Sequence, residues 1–471
     1  MKTGTTTKLI AAMLAVAMAI AAFAFIPRAN GEGMQTAYAA DGDLRVHFID
    51  CGQADACYIE FPDGKSMLID TGDRSSDSYG NVIEYLDDQG VQTLDWLILT
   101  HSDADHIGGA THVLEEYEVK TIYRPHQACA PEEGDDGATD PAYEGSEEDG
   151  TGFYAEIADN NIKTTATYQK AIAAAYAETY TENGRSVPAE VYVTNPFNER
   201  INHIAGESFE YTFDFYSPVH VEDYDDSNNF SPVMVLSYEG RDFVLTGDAE
   251  KDNEADFVEL VRNSDVGSYG GRYDKFIRNE FTADVIKMGH HGSSTSSGED
   301  FLEIMTANEQ KRPNIFTIFS CGDGNSYGHP HKETLQRLMD MGFSAERIER
   351  TDLNGDIVFG VSASGALALS EETPDVTNEA KLTTGNGNDK RPQETIKDNG
   401  VKPDETIDDL PDARQSNGNM PDLFDPATWA RSPAEWHILQ WVVIVVAVMA
   451  VIAVIAFAVM GTKKRKRKRR K

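Results

Sequence analysis

Five short apolar runs in this chain each stop at a histidine or an aspartate. Residues 66–70 end on Asp70, and residues 94–99 run into His101. Residues 242–246 precede Asp248, and residues 283–288 precede His290 and His291. Residues 314–320 lead to a turn holding His329 and His331. Apolar runs of this length, bounded by turn residues, read as buried strands. Strands that all deliver a ligand-type side chain at their ends place those side chains along one edge of two packed sheets. The pattern therefore predicts an α/β fold with helices outside the sheets and its chemistry at that edge.

The densest of these ends reads Thr100-His101-Ser102-Asp103-Ala104-Asp105-His106-Ile107-Gly108-Gly109. It packs two His and two Asp into six positions. Imidazoles and carboxylates together suit Zn2+ or Mn2+. Adjacent Asp105 and His106 point different ways, so one turn can serve two metals. A solvated polar loop is the plain alternative, and this spacing, closed by Gly-Gly, argues against it.

The pattern H-x-D-x-D-H-x-G-G resembles the metal motif of the metallo-β-lactamase superfamily, with Asp103 where that family usually has a second His. The replacement resembles the ComEC-type competence hydrolases, a nuclease-like branch. Six further segments are similar to motifs of that branch, in its order: residues 48–56, with Asp50 and Asp55; 68–72, with Asp70; 245–250, with Asp248; 287–293, with His290 and His291; 325–331, with Tyr327, His329 and His331; and 351–357. The resemblance spans roughly residues 43–370. It implies a four-layer αββα sandwich and two divalent metal ions. His101 and Asp103 would bind the first ion, and Asp105 and His106 the second. Asp248 would bridge them, and His290 or His291 would complete the set, the spare one donating a proton to the leaving group. Asp105 and His291 are the expected catalytic pair. A hydroxide held between two such metals would be the nucleophile.

Around this set, Asp70 resembles the family carboxylate that orients a ligand His. The family's third-motif His is absent from residues 225–231, where Asn229 is the candidate oxygen ligand or substrate contact. Oxygen donors at Asp103 and Asn229 weaken the case for Zn2+ and strengthen that for Mn2+, leaving both open. Ser293, Tyr327, His329 and His331 are candidates for contacting substrate. His203 and His220 sit in no matching context and read as surface residues.

The chain ends bear on compartment. Residues 1–39 read as a secretory leader: Lys2 and Lys8, an apolar core, then Ala37-Tyr38-Ala39. Residues 438–461 include an unbroken apolar run from Trp441, long enough to span a bilayer. Residues 462–471 carry nine consecutive basic residues, which stay cytoplasmic. The expected protein is single-pass, with its catalytic domain extracellular. Without the tail's basic residues and the leader's Lys2, Lys8, Arg28 and Glu32, 29 basic and 78 acidic residues remain, a net charge near −49. Such a field repels phosphate polymers and disfavours tight nonspecific duplex binding. The four cysteines, Cys51, Cys57, Cys129 and Cys321, are too few for a disulfide scaffold. Cys51 and Cys57 pairing across a hairpin and two small core residues are equally open readings.

The domain is expected over residues 40–370, interrupted by an acidic insertion at about 127–165. A polar, Asn/Pro/Thr/Gly-rich stalk is expected over 371–435. Residues 209, 211, 213 and 215 are all aromatic, which predicts a strand with one buried face. The function expected is a cell-surface metal-dependent hydrolase of phosphodiesters, with DNA or a wall polymer such as teichoic acid as substrate. A non-catalytic surface binding protein is the competing class, disfavoured because the ligand set is complete. No obligate protein partner is inferred.

Overall fold

The computed structural model describes residues 42–127, 129, 165–197, 203–206, 209–263, 270–370, 373–374 and 376–385. The leader, most of the acidic insertion, residues 386–435 of the expected stalk, the apolar segment at 438–461 and the basic tail lie outside the described residues. Among the described residues, no helix is long and apolar enough to cross a membrane.

The first half alternates β1 (Leu44–Phe48), β2 (Cys57–Glu60), β3 (Ser66–Ile69), α1 (Ser76–Asp88), β4 (Thr93–Ile98), α2 (Ala104–Ile107), α3 (Ala110–Glu116), β5 (Glu118–Arg124) and α4 (Ala166–Ala177). A hairpin, β6 (Thr179–Glu182) with β7 (Arg185–Pro188), precedes β8 (Glu190–Val193) and β9 (His203–Ala205). Then follow β10 (Tyr211–Phe215), β11 (Met234–Tyr238), β12 (Arg241–Leu245), α5 (Lys251–Asn263), α6 (Gly270–Ile277) and β13 (Val285–Lys287). The last part holds α7 (Glu299–Met305), β14 (Phe316–Phe319), α8 (Lys332–Asp340), β15 (Ile348–Arg350), α9 (Thr351–Asn354), β16 (Ile357–Val361), β17 (Leu367–Leu369) and α10 (Asn378–Lys381).

One sheet runs β17-β16-β1-β2-β3-β4-β5-β8 and the other β15-β14-β13-β12-β11-β10-β9. Period-two alternation decides which faces meet. In β3, Met67 and Ile69 join Phe213, Phe215, Phe243 and Ile318 in a core between the sheets, while Leu68 faces Val82, Leu86 and Val113 of the outer helices. In β12, Phe243 points inward, and Val244 packs on Phe257, Val261 and Tyr273. Two sheets face to face with helices on both outer surfaces give the αββα layering the motifs imply. The aromatic face of β10 is likewise seated in the inner core.

β3, β4 and β5 are parallel neighbours, as are β12, β13, β14 and β15. Their carboxyl ends therefore emerge on the same side of each sheet. This is what gathers Asp70, His101, Asp248, His290, His291 and His329 into one rim. All four cysteines are free and buried, so Cys51 and Cys57 do not pair. Residues 376–385, expected to belong to the stalk, pack against the domain instead. Arg350 donates to the Lys381 carbonyl at 3.3 Å and to that of Thr383, and Lys381 pairs with Glu349 at 2.8 Å inside the domain.

Candidate metal centre

Asp248 lies at the centre of the rim, just after β12 and 2% exposed. Three imidazoles face its carboxylate. His106 Nε2 is 3.1 Å from Oδ1, and the Nε2 atoms of His291 and His290 are 3.5 and 3.7 Å from Oδ2. Each ring is fixed from behind. His106 Nδ1 meets Asp70 Oδ2 at 2.6 Å, His290 Nδ1 meets Glu250 Oε1 at 2.9 Å, and His291 donates from Nδ1 to the Ser320 carbonyl at 2.8 Å. A proton held on Nδ1 leaves Nε2 as a bare lone pair, the form in which His binds a metal. His101 completes the set: its Nδ1 lies 3.1 Å from Ser231 Oγ and its ring centroid 4.2 Å from that of His106.

Backbone geometry holds the turn open. Asp70, His290 and His291 have φ of 60°, 49° and 54°. Non-glycine residues in that region carry strain that the surroundings must offset. Gly247 has φ 50°, and a Cβ there would come within 3.0 Å of Thr100 and 3.1 Å of Ser231. Only glycine lets the strand bearing Asp248 approach the turn bearing His101.

The electrostatics are those of a cation-seeking pocket. Burial would depress the His106 pKa, yet the Asp248 and Asp70 carboxylates outweigh it and hold it well above the usual value. Burial would raise Asp248, but His106, His291 and His290 hold it well below. His101 is pushed well down, by burial first and by His106 second. Asp103 is pushed up to about 7 by burial and by Asp105, with the Ser227 hydroxyl, 2.8 Å away, pulling the other way.

The sequence-derived residues divide into groups. His106, Asp248 and His291 fall in the tightest cluster, together with Asp55; one ligand atom from each of the four lies within 4.8 Å of the others. Asp105 joins through Oδ2, 3.5 Å from His291 Nε2. His290 and His101 flank this cluster, and Asp103 stands beside Ser227. Of the His pair, His291 enters the tightest group and His290 does not. Asn229 is used elsewhere, contrary to expectation: its Oδ1 accepts the Asn253 N–H at 3.1 Å at the start of α5. Ser227 and Ser231, from the same segment, reach Asp103 and His101 instead. His329 stacks on His291 at 5.9 Å and on Tyr327 at 5.6 Å, and His331 accepts the Ser294 N–H at 2.9 Å. The Ser293 and Thr295 hydroxyls lie 2.9 Å apart, and Thr295 donates to Glu250. His203 pairs with Asp214 at the surface, and His220 is exposed. Asp55, Glu250 and Lys287 fall inside quoted motifs, but nothing in their own spacing marks them as parts of the centre.

A divalent metal fits this donor set. The buried Nε2 atoms of His101, His106 and His291 and Oδ1 of Asp248 have no hydrogen-bond partner of acceptable geometry. Orphaned buried acceptors are costly unless something binds them. Their convergence is the geometry of a ligand set for one or more cations.

Comparison with known proteins agrees. Residues 49–311 match the metallo-beta-lactamase superfamily. ComE operon protein 3 of Bacillus subtilis (strain 168) is 28% identical over 329 residues, 67% of this chain and 32% of that protein. Competence protein ComA of Neisseria gonorrhoeae is 29% identical over 182 residues, 38% of this chain and 22% of that protein. Recombination protein 2 of Haemophilus influenzae is 26% identical over 316 residues, 66% of this chain and 28% of that protein. The chain thus spans about a third or less of the length of each. Among solved structures, the metallo-beta-lactamase fold protein YhfI from Bacillus subtilis aligns over 70% of this chain and 100% of its own, with 12% identity and a TM-score of 0.31. A family match over more than half of the chain, with competence-related relatives beside it, establishes that this protein belongs to the metallo-beta-lactamase superfamily.

Proposed function

We propose that this chain is a metal-dependent hydrolase of phosphodiester bonds, exported and tethered to the cell membrane. The observation that carries the chemistry is the convergence of three imidazole Nε2 atoms on the Asp248 carboxylate, each ring locked through its Nδ1. His101, Asp103, Asp105, His106, Asp248 and His291 would hold two divalent ions, Zn2+ or Mn2+. When bound, such ions acidify water and neutralise charge developing on phosphoryl oxygens. Around them His290, steadied by Glu250 at Nδ1, would take up a proton at Nε2 and, as the imidazolium, pass it to the leaving oxygen. Tyr327, His329 and His331, whose rings touch one another in turn, would be the side chains against which a substrate group lies, with Ser293 as a further contact.

The phosphodiester class rests on the relatives. Their names speak of competence and recombination, both of which handle DNA, so DNA is the first substrate to test. A second reading, a wall-polymer esterase, is favoured by the expected extracellular, membrane-tethered placement beside the wall; the net charge near −49 of residues 40–462 repels DNA and anionic wall polymers alike. The leader at 1–39 and the apolar run at 438–461 support an extracellular, single-pass placement.

The test is hydrolysis of bis-p-nitrophenyl phosphate, single-stranded DNA and p-nitrophenyl phosphorylcholine by the full-length chain, with Mn2+ or Zn2+ and after chelation. Turnover abolished by chelator and by Asp248→Ala is expected. The preferred substrate then separates nuclease from wall-polymer esterase. Turnover that survives chelation contradicts the proposal.

A further inference from the structure

A buried lysine lies under the cluster. Lys287 ends β13 with its side chain 6% exposed, and its ammonium contacts the Asp55 carboxylate. It also donates to the Gly247 carbonyl at 3.2 Å, one residue before Asp248. Asp55 in turn lies 3.8 Å from His106 Nδ1 and 4.0 Å from His291 Nδ1. Asp248 faces the Nε2 atoms of the same two rings. Asp55 therefore stands behind the imidazoles, on the side away from their ligand lone pairs. A cavity of about 10 Å³, bordered by Asp55, Asp70, Gly247, Lys287 and Ser320, separates this pair from the inner core.

A carboxylate in contact with a buried ammonium is already neutralised. If it turned to a metal, the ammonium would be left unpaired in the interior, which costs several kcal/mol. Lys287 is also a permanent positive charge close to where a divalent cation would sit.

We propose that Lys287 and Asp55 act as a positioning pair: Lys287 keeps Asp55 out of the ligand set, behind His106 and His291, and its charge restrains the metal affinity of the centre. This rests on the metal-centre reading above and adds a determinant of affinity that the ligands alone do not supply.

The test is calorimetric titration of the full-length apo chain with Mn2+ and with Zn2+, for wild type, Lys287→Met, Asp55→Asn and the double variant. Lys287→Met removes the cation and releases a carboxylate, so it should bind metal about tenfold or more tightly than wild type. Asp55→Asn leaves the ammonium unopposed and should bind about tenfold or more weakly. The double variant should return to within about threefold of wild type, since opposing charges are removed together. A Lys287→Met chain that folds and binds no more tightly than wild type overturns the proposal. If Lys287→Met alone does not fold, the double variant decides. Affinity recovered relative to Asp55→Asn supports the pair, and affinity left at the Asp55→Asn value overturns it. A wild-type chain that binds neither metal refutes the metal centre itself, an outcome distinct from these.

Discussion

Asp70 shows how much of this centre depends on single atoms. One carboxylate accepts the Thr100 N–H at 2.9 Å and the Thr100 hydroxyl at 2.7 Å, and holds His106 Nδ1 at 2.6 Å, from a backbone with φ 60°. Asp70→Asn keeps the shape but loses the charge that fixes the His106 tautomer. Metal affinity is expected to fall about 10–100-fold, read by titration calorimetry; an unchanged affinity would remove Asp70 from the centre. Glu254 carries a pH signature. Burial raises its pKa to about 7 against the Ser297 and Gly298 amides that pull it down. The folded chain thus binds a proton there that the unfolded chain releases above about 4.5. That contribution is full below pH 4.5 and is lost as pH rises through about 7, a slope of up to about 3 kcal/mol in total. Glu254→Gln should flatten stability between pH 5 and 8 in denaturant titrations, and an unaltered slope would contradict this. At this scale the residues closing strands were legible in the sequence because each is itself a ligand type at a strand end. Asp55, Glu250 and Lys287 were not, since their roles come from neighbours far along the chain. Asn229 was misread because a helix start competes for its side-chain oxygen.

At the scale of elements, the five apolar runs fall on β3, β4, β12, β13 and β14 to within two residues, because inner and outer faces are both covered and the strands are short. β5 escaped notice: its buried positions, Val119 and 122–124, do not alternate. α5 was equally hidden, since Asn253 and Glu254 lie on its buried face beside Phe257 and Val261. The late segment at 376–385 was read as stalk from its polar composition, yet ion pairing fastens it to β15. A Cβ at Gly385 would stand 2.1 Å from the His329 carbonyl, so this segment also backs the loop that carries His329. Lys381→Met removes the ammonium that pairs with the buried Glu349 carboxylate, at a cost of about 3–5 kcal/mol. Denaturant unfolding of the full-length variant measures this, and unchanged stability would show that the segment does not clamp the domain.

For the whole molecule, two sheets supply the site between them: His101, Asp105 and His106 come from one, and Asp248 and His291 from the other. Metal binding therefore ties the halves together, and stability should rise with metal concentration by mass action. The charge makes a separate prediction. A nuclease that grips DNA through many lysines and arginines loses about 10³–10⁵ in affinity between about 50 and 200 mM salt. With the basic residues 463–471 deleted, the chain should show single-stranded DNA affinity that stays flat or improves over that range, measured by fluorescence anisotropy. A steep fall in that variant would contradict the repulsion argued from its charge. The central claim, that imidazoles converging on Asp248 hold metal, is tested most directly by counting ions. Purified full-length protein, loaded with Mn2+ or Zn2+ and desalted, should retain about two ions per chain by elemental analysis, and Asp248→Ala should retain fewer than one. Wild type without bound metal, or Asp248→Ala with a full complement, would contradict the account.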